Sequence, residues 1–137
     1  MDKDKCYPQT CPCDSGKRYA ACCGPLHTGK HHARTAKQLM RSRYSAFAIG
    51  GLGDYLLQTW HPDTRPAVSA QDMGASDTDW VKLEVLDSSQ SGDSAMVEFK
   101  AYWCDDDGQV QVHHERSRFI RVGGRWYYVD AVSTFGA

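Results

Sequence analysis

A chain of 137 residues with 41% apolar residues and a net charge of −1 has material for one domain with a real core plus a small appendage. No apolar run approaches the ~20 residues of a membrane-spanning helix, and Met1 to Thr10 is charged without an apolar h-region, so a cytoplasmic protein is expected. The small net charge conceals a gradient, because residues 1–50 carry a balance of +6 and residues 51–137 a balance of −7.

The first element is a cysteine pattern: Cys11-Pro12-Cys13, eight residues, then Cys22-Cys23. Four thiols in thirteen positions make a tetrahedral thiolate cage, and Zn2+, one per chain, is the cofactor such cages usually hold. A disulfide framework is disfavoured where nothing directs the chain to an oxidising compartment; redox-active thiols are the competing use. Residues 1–32 are too few and too polar to fold on a core of their own, so a metal is expected to order them, and residues 33–137 to form the main domain. Asp14 or Ser15 is expected to cap a short helix that returns Cys22 and Cys23, with Gly24-Pro25 bending the chain so that both reach one metal. Lys17 and Arg18 offset the thiolate charge, and Tyr19 covers the site. Cys6 reads as a spare cysteine, and His27, His31 and His32 as surface residues.

A helical pattern begins near Ala33, with Leu39, Met40, Tyr44, Phe47 and Ala48 on one face, and ends at Gly50-Gly51. Asp54 to Trp60 is a second, shorter helix that stops at His61-Pro62. Pro62 to Thr78 reads as a loop with one helical turn at Ala70 to Met73. Strands follow. Trp80 to Leu86 is the first; Ala95 to Trp103 alternates, with Ala95, Val97, Phe99, Ala101 and Trp103 on one side. Asp105-Asp106-Asp107-Gly108 is a turn without the ligand spacing of a calcium loop. Val110 to Val122 runs back as a long strand, and Gly123-Gly124 leads by a hairpin into Trp126 to Val132. Helices first and then about four antiparallel strands make an α+β fold with helices on one face of the sheet.

Cys11-Pro-Cys-Asp-Ser-Gly-Lys-Arg-Tyr-Ala-Ala-Cys-Cys-Gly24 resembles the SEC-C motif, the zinc-binding tail first recognised in the SecA translocation ATPase. Cys11, Cys13, Cys22 and Cys23 fall on its four ligand positions, and Ser15, Gly16, Lys17 and Tyr19 match as well, while Asp14 replaces Gly and Ala20 replaces Lys. Leu39-Met-Arg-Ser-Arg-Tyr-Ser-Ala-Phe47, Asp54-Tyr-Leu56 with Thr59-Trp-His-Pro62, Glu115-Arg-Ser-Arg-Phe119 and Trp126-Tyr-Tyr-Val-Asp130 are similar to the bacterial YchJ-like proteins. That resemblance implies a cystatin-like, nuclear-transport-factor-2-like (NTF2-like) cup in which helices pack against a curved sheet. Many members carry a second SEC-C motif at the C-terminus, and this sequence ends at Phe135-Gly136-Ala137 without one. Family knowledge stops short of an activity.

Three uses of such a chain are then open. The first is a binding or adaptor module whose knuckle docks through Lys17, Arg18 and Lys30 on a protein or ribosomal partner; the SecA analogy implies export or translation. The second is a small-molecule binder or enzyme using a cup lined by Tyr44, Trp60, His61, Trp103, Glu115, Arg118 and Trp126. The third is RNA binding through the basic residues between 17 and 43, against which Arg41 and Arg43 can instead pin the helix to Glu115 or Asp130. His113-His114 point to opposite faces of a strand, so they do not ligate one metal together. No nucleophile elbow, phosphate loop or second metal set is present, and no catalytic residue is assigned.

Overall fold

Period-two alternation in the second half of the chain produces a four-stranded antiparallel meander. In the computed structural model, which describes residues 10–75 and 77–135, it comprises β1 (Asp79–Ser91), β2 (Ser94–Cys104), β3 (Val110–Val122) and β4 (Arg125–Phe135) in the order β1-β2-β3-β4. Along β2, Ala95, Val97, Phe99 and Ala101 are buried and the intervening residues are not, as alternation on a half-buried sheet requires. Gly123 and Gly124, at φ of 58° and 81°, supply the two left-handed positions of the tight turn joining β3 to β4. Register shifts interrupt the β1–β2 ladder between Trp80 and Lys82 and again between Val85 and Asp87; the β3–β4 ladder shifts twice between Arg116 and Phe119. Such bulges bend and twist strands, which curves the sheet around whatever packs on it.

The helices precede the sheet. After a 3-10 turn (Tyr19–Ala21) come α1 (Gly24–His27), α2 (Ala36–Ile49), α3 (Gly53–Gln58) and α4 (Ala70–Met73). α2 starts three residues later than its apolar spacing implies, because Thr35 is its cap: the Thr35 hydroxyl accepts from Gln38 N at 3.0 Å, and the Gln38 side chain accepts from Arg34 N at 2.7 Å. β1 runs five residues beyond its expected end, since Asp87 to Ser91 are exposed and pair through backbone with no apolar alternation to announce them.

The core lies between α2 and the sheet. Leu39, Leu56, Val97 and Phe119 are each at most 1% exposed, and each such side chain contributes about 1.5–3 kcal/mol of burial. Cys11, Cys13 and Cys23 belong to this same cluster of buried residues, so the N-terminal segment is continuous with the core. Among the described residues no helix is long and apolar enough to cross a membrane. Cys6 lies outside the described residues.

Candidate metal centre and cup

A closed loop and a 3-10 turn bring the cysteines together. A bridge between Thr10 and Arg18 and a hydrogen bond from Cys11 N to Lys17 O (2.8 Å) close the loop that carries Cys11 and Cys13. The 3-10 turn then returns the chain, with Cys22 N donating to Tyr19 O at 3.0 Å. The bend lies at Cys22 itself (φ −130°, ψ −100°), whereas Gly24-Pro25 opens α1. Gly24 is required for a different reason: a Cβ there would lie 2.9 Å from Tyr19 O. Neither Asp14 nor Ser15 caps a helix. Ser15 Oγ lies 3.2 Å from Cys22 Sγ, and Asp14, at φ 64°, accepts from Leu83 N of β1 at 2.8 Å. Asp14 thus occupies a left-handed position that favours Gly and uses its carboxylate to tie the loop to the sheet.

The four Sγ atoms all lie within 4.8 Å of one another, with Cys13 to Cys22 at 3.6 Å and Cys22 to Cys23 at 3.9 Å. A tetrahedral zinc with Zn–S bonds of about 2.3 Å has sulfur–sulfur edges of about 3.8 Å, so the donor set fits such an ion in number, chemistry and spacing. The cysteines are free thiols, and these separations far exceed a disulfide bond. Ser45 Oγ, from α2, lies 3.4 Å from both Cys11 Sγ and Cys23 Sγ, and Arg41 donates to Cys13 O at 2.6 Å. These contacts orient the sulfur atoms and place a cation beside them.

The thiols do not ionise alike. Hydrogen bonds from Cys11 and then Cys23 hold Cys13 far below the usual thiol range, and contacts with Cys11 and then Cys13 push Cys23 up. A cluster in which Cys13 gives up its proton readily while Cys11 and Cys23 resist losing theirs is one in which a shared cation relieves the repulsion among thiolates.

His27 is half-buried, not on the surface. It accepts from the Tyr19 hydroxyl at Nδ1 (2.6 Å) and donates from Nε2 to Ser42 O (2.8 Å), and burial lowers its pKa below the ordinary value. The neutral ring therefore clasps the knuckle to α2. Lys17, Arg18 and Lys30 are exposed, as are His31 and His32.

On the other side of α2 the helices and the curved sheet border an open cavity of about 480 Å³. Tyr44, Trp60, Trp103 and Glu115 border it. The other three expected lining residues do not. His61 turns away beside Tyr127, Arg118 pairs with Asp130 at 3.0 Å on the outer face, and Trp126 is buried with its indole N–H toward Arg34 O. Period-two alternation excludes Arg118, since Glu115, Ser117 and Phe119 are the buried residues of β3.

Five polar residues of the cup escape a linear reading: Arg43, Thr78, His113, Ser117 and Tyr128. The Glu115 carboxylate lies at the floor and accepts from His113 Nε2 (2.7 Å), Ser117 Oγ (2.5 Å) and Tyr128 Oη (3.1 Å). Burial pushes its pKa up, but the His113 and Ser117 hydrogen bonds outweigh that and the net shift is downward. His113 is raised, first by its bond to Glu115. His114 points the other way, to Glu98 at 2.8 Å. Arg43 is only 4% exposed; it donates from Nη1 to Leu56 O and Thr59 Oγ1, each at 2.7 Å, and lies over the Trp60 and Tyr128 rings at 5.2 and 4.8 Å. Burial brings its pKa down to about 10, so it stays cationic at neutral pH. With Arg43 in the cup and Arg41 on Cys13 O, the basic stripe expected along α2 loses two members; their contacts are backbone, threonine and aromatic rings and not direct ion pairs with Glu115 or Asp130, Glu115 acting on Arg43 only at longer range. The signal for Arg43 was its spacing with Met40, Tyr44 and Phe47 on one helical face.

A family model described as "YchJ, middle NTF2-like domain" matches residues 35–131, and one for the SEC-C motif matches residues 8–25. The chain is 47% identical over 133 residues to a UPF0225 protein of Bordetella pertussis, spanning 95% of this chain and 97% of that one. It is 48% identical over 122 residues to a UPF0225 protein of Deinococcus radiodurans, spanning 88% and 87%. It also resembles the solution structure of RPA3114, a SEC-C motif containing protein from Rhodopseudomonas palustris, with a TM-score of 0.82 and 39% identity over 90% of this chain and 97% of that one.

Proposed function

As the chain belongs to the YchJ-like UPF0225 family, we propose that it is a zinc-binding protein in which one Zn2+, held by Cys11, Cys13, Cys22 and Cys23, fastens a SEC-C knuckle to an NTF2-like domain and keeps it rigid as a binding module. The observation that carries this is the grouping of the four Sγ atoms within 4.8 Å, three of the cysteines being buried in the core of the main domain. Zinc there supplies structural coordination, and the protein residues do the rest: Ser45 and Ser15 orient sulfur atoms, and Arg41 fixes the loop. The knuckle exposes Lys17 and Arg18, with Lys30 just past α1, and these three form the docking face for an anionic protein or ribosomal surface. Metal analysis of chain purified without chelator should give one zinc and four protected thiols. Cosedimentation with purified ribosomes should then be lost on the combined replacement Lys17→Glu, Arg18→Glu and Lys30→Glu while zinc content holds. Ribosome binding that survives the triple replacement would sink the docking face; a chain without metal would sink the whole reading.

A second reading rests on the cavity of about 480 Å³ between α2 and the sheet, which falls within the size range of small-molecule sites. Its aromatic walls and polar floor support the NTF2-like domain as a receptor for a small molecule. A saturable rise in melting temperature with a cup-sized compound tests it.

A further inference from the structure

The hydrogen-bond ledger of the cup distinguishes its two charged groups. Both Glu115 oxygens are engaged, one by His113 and the other by Ser117 and Tyr128. Arg43 is engaged only in part. Its Nη1 protons go to Leu56 O and Thr59 Oγ1, and no described residue accepts from Nε or Nη2. Among the described residues, no fully buried side-chain nitrogen or oxygen lacks a partner, so these remaining N–H groups keep a trace of exposure, and the space that Arg43 borders is the cup. The Nε–Nη2 edge is the side-on fork that matches a carboxylate.

Charge points the same way. No carboxylate among the described residues forms a direct ion pair with Arg43, whose contacts are two neutral acceptors and two aromatic faces, while the Glu115 carboxylate acts on it only at longer range. A buried guanidinium without a contacting counter-ion is costly, and a ligand that brings an anion to its free edge offsets that cost. A ligand cation would find the Glu115 oxygens already engaged and the positive Arg43 nearby. The walls define the rest of the molecule: Tyr44, Phe47, Trp80, Phe99 and Trp103 face the space with flat apolar surface.

We propose that the cup binds a small apolar carboxylate, with an aromatic or similarly flat body between the aromatic walls and its carboxylate on the Nε–Nη2 edge of Arg43. The inference rests on the second reading above, that the cup is a receptor site, and it names the ligand class and the residue that selects it.

The test uses the full-length, metal-loaded chain and three matched probes: 3-phenylpropionate, 3-phenylpropionamide and 3-phenylpropylamine. Trp60, Trp80 and Trp103 border the cavity, so intrinsic fluorescence reports occupancy, and melting temperature provides a second readout. The acid should bind saturably and roughly tenfold or more tighter than the amide, the scale of a charge-assisted hydrogen bond, with the amine weakest. Arg43→Lys should cost the acid roughly tenfold and leave the amide unchanged. Because Arg43 also holds α3, the probe series on the unaltered chain decides the matter if that variant fails to fold. Amide or amine binding as well as the acid would leave the receptor reading standing and overturn the assignment to Arg43. No saturable binding of any of the three at millimolar concentration would overturn both.

Discussion

On one face of α2, residues 10–27 hold their shape with four sulfur atoms, a serine bridge and a histidine clasp; on the other face, the cup is held by dispersed apolar burial and strand register. Ser45 turns to the knuckle, Ser42 meets it only through its carbonyl on His27 while its hydroxyl contacts Tyr55, and Met40, Arg43, Tyr44 and Phe47 face the cup. With the proposed zinc in place, one helix would couple a region whose order hangs on a single ion to a region whose order is spread over many contacts. The difference teaches where each is vulnerable: the knuckle should fail all at once, and the cup by degrees.

The sharpest break is Cys23→Ser. It removes one of the four proposed ligands from a buried position, and structural zinc sites carry about 10–16 kcal/mol of apparent binding free energy. Loss of metal and collapse of protection across residues 10–27 in hydrogen exchange are expected, with α2 loosened through Ser45. Next comes Phe119→Ala, a cut to the fully buried centre of the sheet face. It should cost about 3–5 kcal/mol in denaturant unfolding and leave the zinc content of the folded protein unchanged. Zinc lost along with it would erase the distinction between the two regions.

Asp14 sharpens the seam between them. Asp14→Ala keeps a side chain at positive φ and removes the tie to Leu83 N, so a loss of about 1–2 kcal/mol is expected. Asp14→Gly loses the same tie and relieves the backbone, and should sit closer to the parent. Identical melting curves for the two variants would contradict the account of this position.

The smallest expected effect is a pH dependence in the cup. His113 is raised above its ordinary value of 6.5, so its contribution is full below 6.5 and is lost as pH rises through the folded value. Glu115 is lowered from 4.5, so its contribution is full above 4.5 and is lost as pH falls through the folded value. The pair thus stabilises most between about 4.5 and 6.5. His113→Gln should flatten the decline in stability on the alkaline side by under about 1 kcal/mol, since the ring is 42% exposed in its side chain and screened by water. A decline of unchanged slope would assign it elsewhere.

What could be read before the structure follows the same division. The cysteine cage is written in local spacing, and the strands that alternate, β2 above all, announce their buried face one residue at a time. The cup is assembled across the chain, and its members look ordinary in one dimension. Arg43 reads as one more arginine beside Arg41 until its place among Met40, Tyr44 and Phe47 is weighed. Trp60 and His61 are neighbours in sequence, yet the isolated bridge of Trp60 to Tyr128 turns one ring into the cup and leaves the other beside Tyr127. The end of β1 was illegible for a simpler reason, because Asp87 to Ser91 pair through backbone alone and bury no side chain.

The central claim is that one zinc on four cysteine sulfurs fastens the knuckle to the core. Zinc-edge X-ray absorption on chain purified without chelator addresses it most directly. The account predicts a single shell of four sulfur neighbours at about 2.3 Å. A shell containing nitrogen or oxygen, fewer than four sulfurs, or no zinc at all would contradict it.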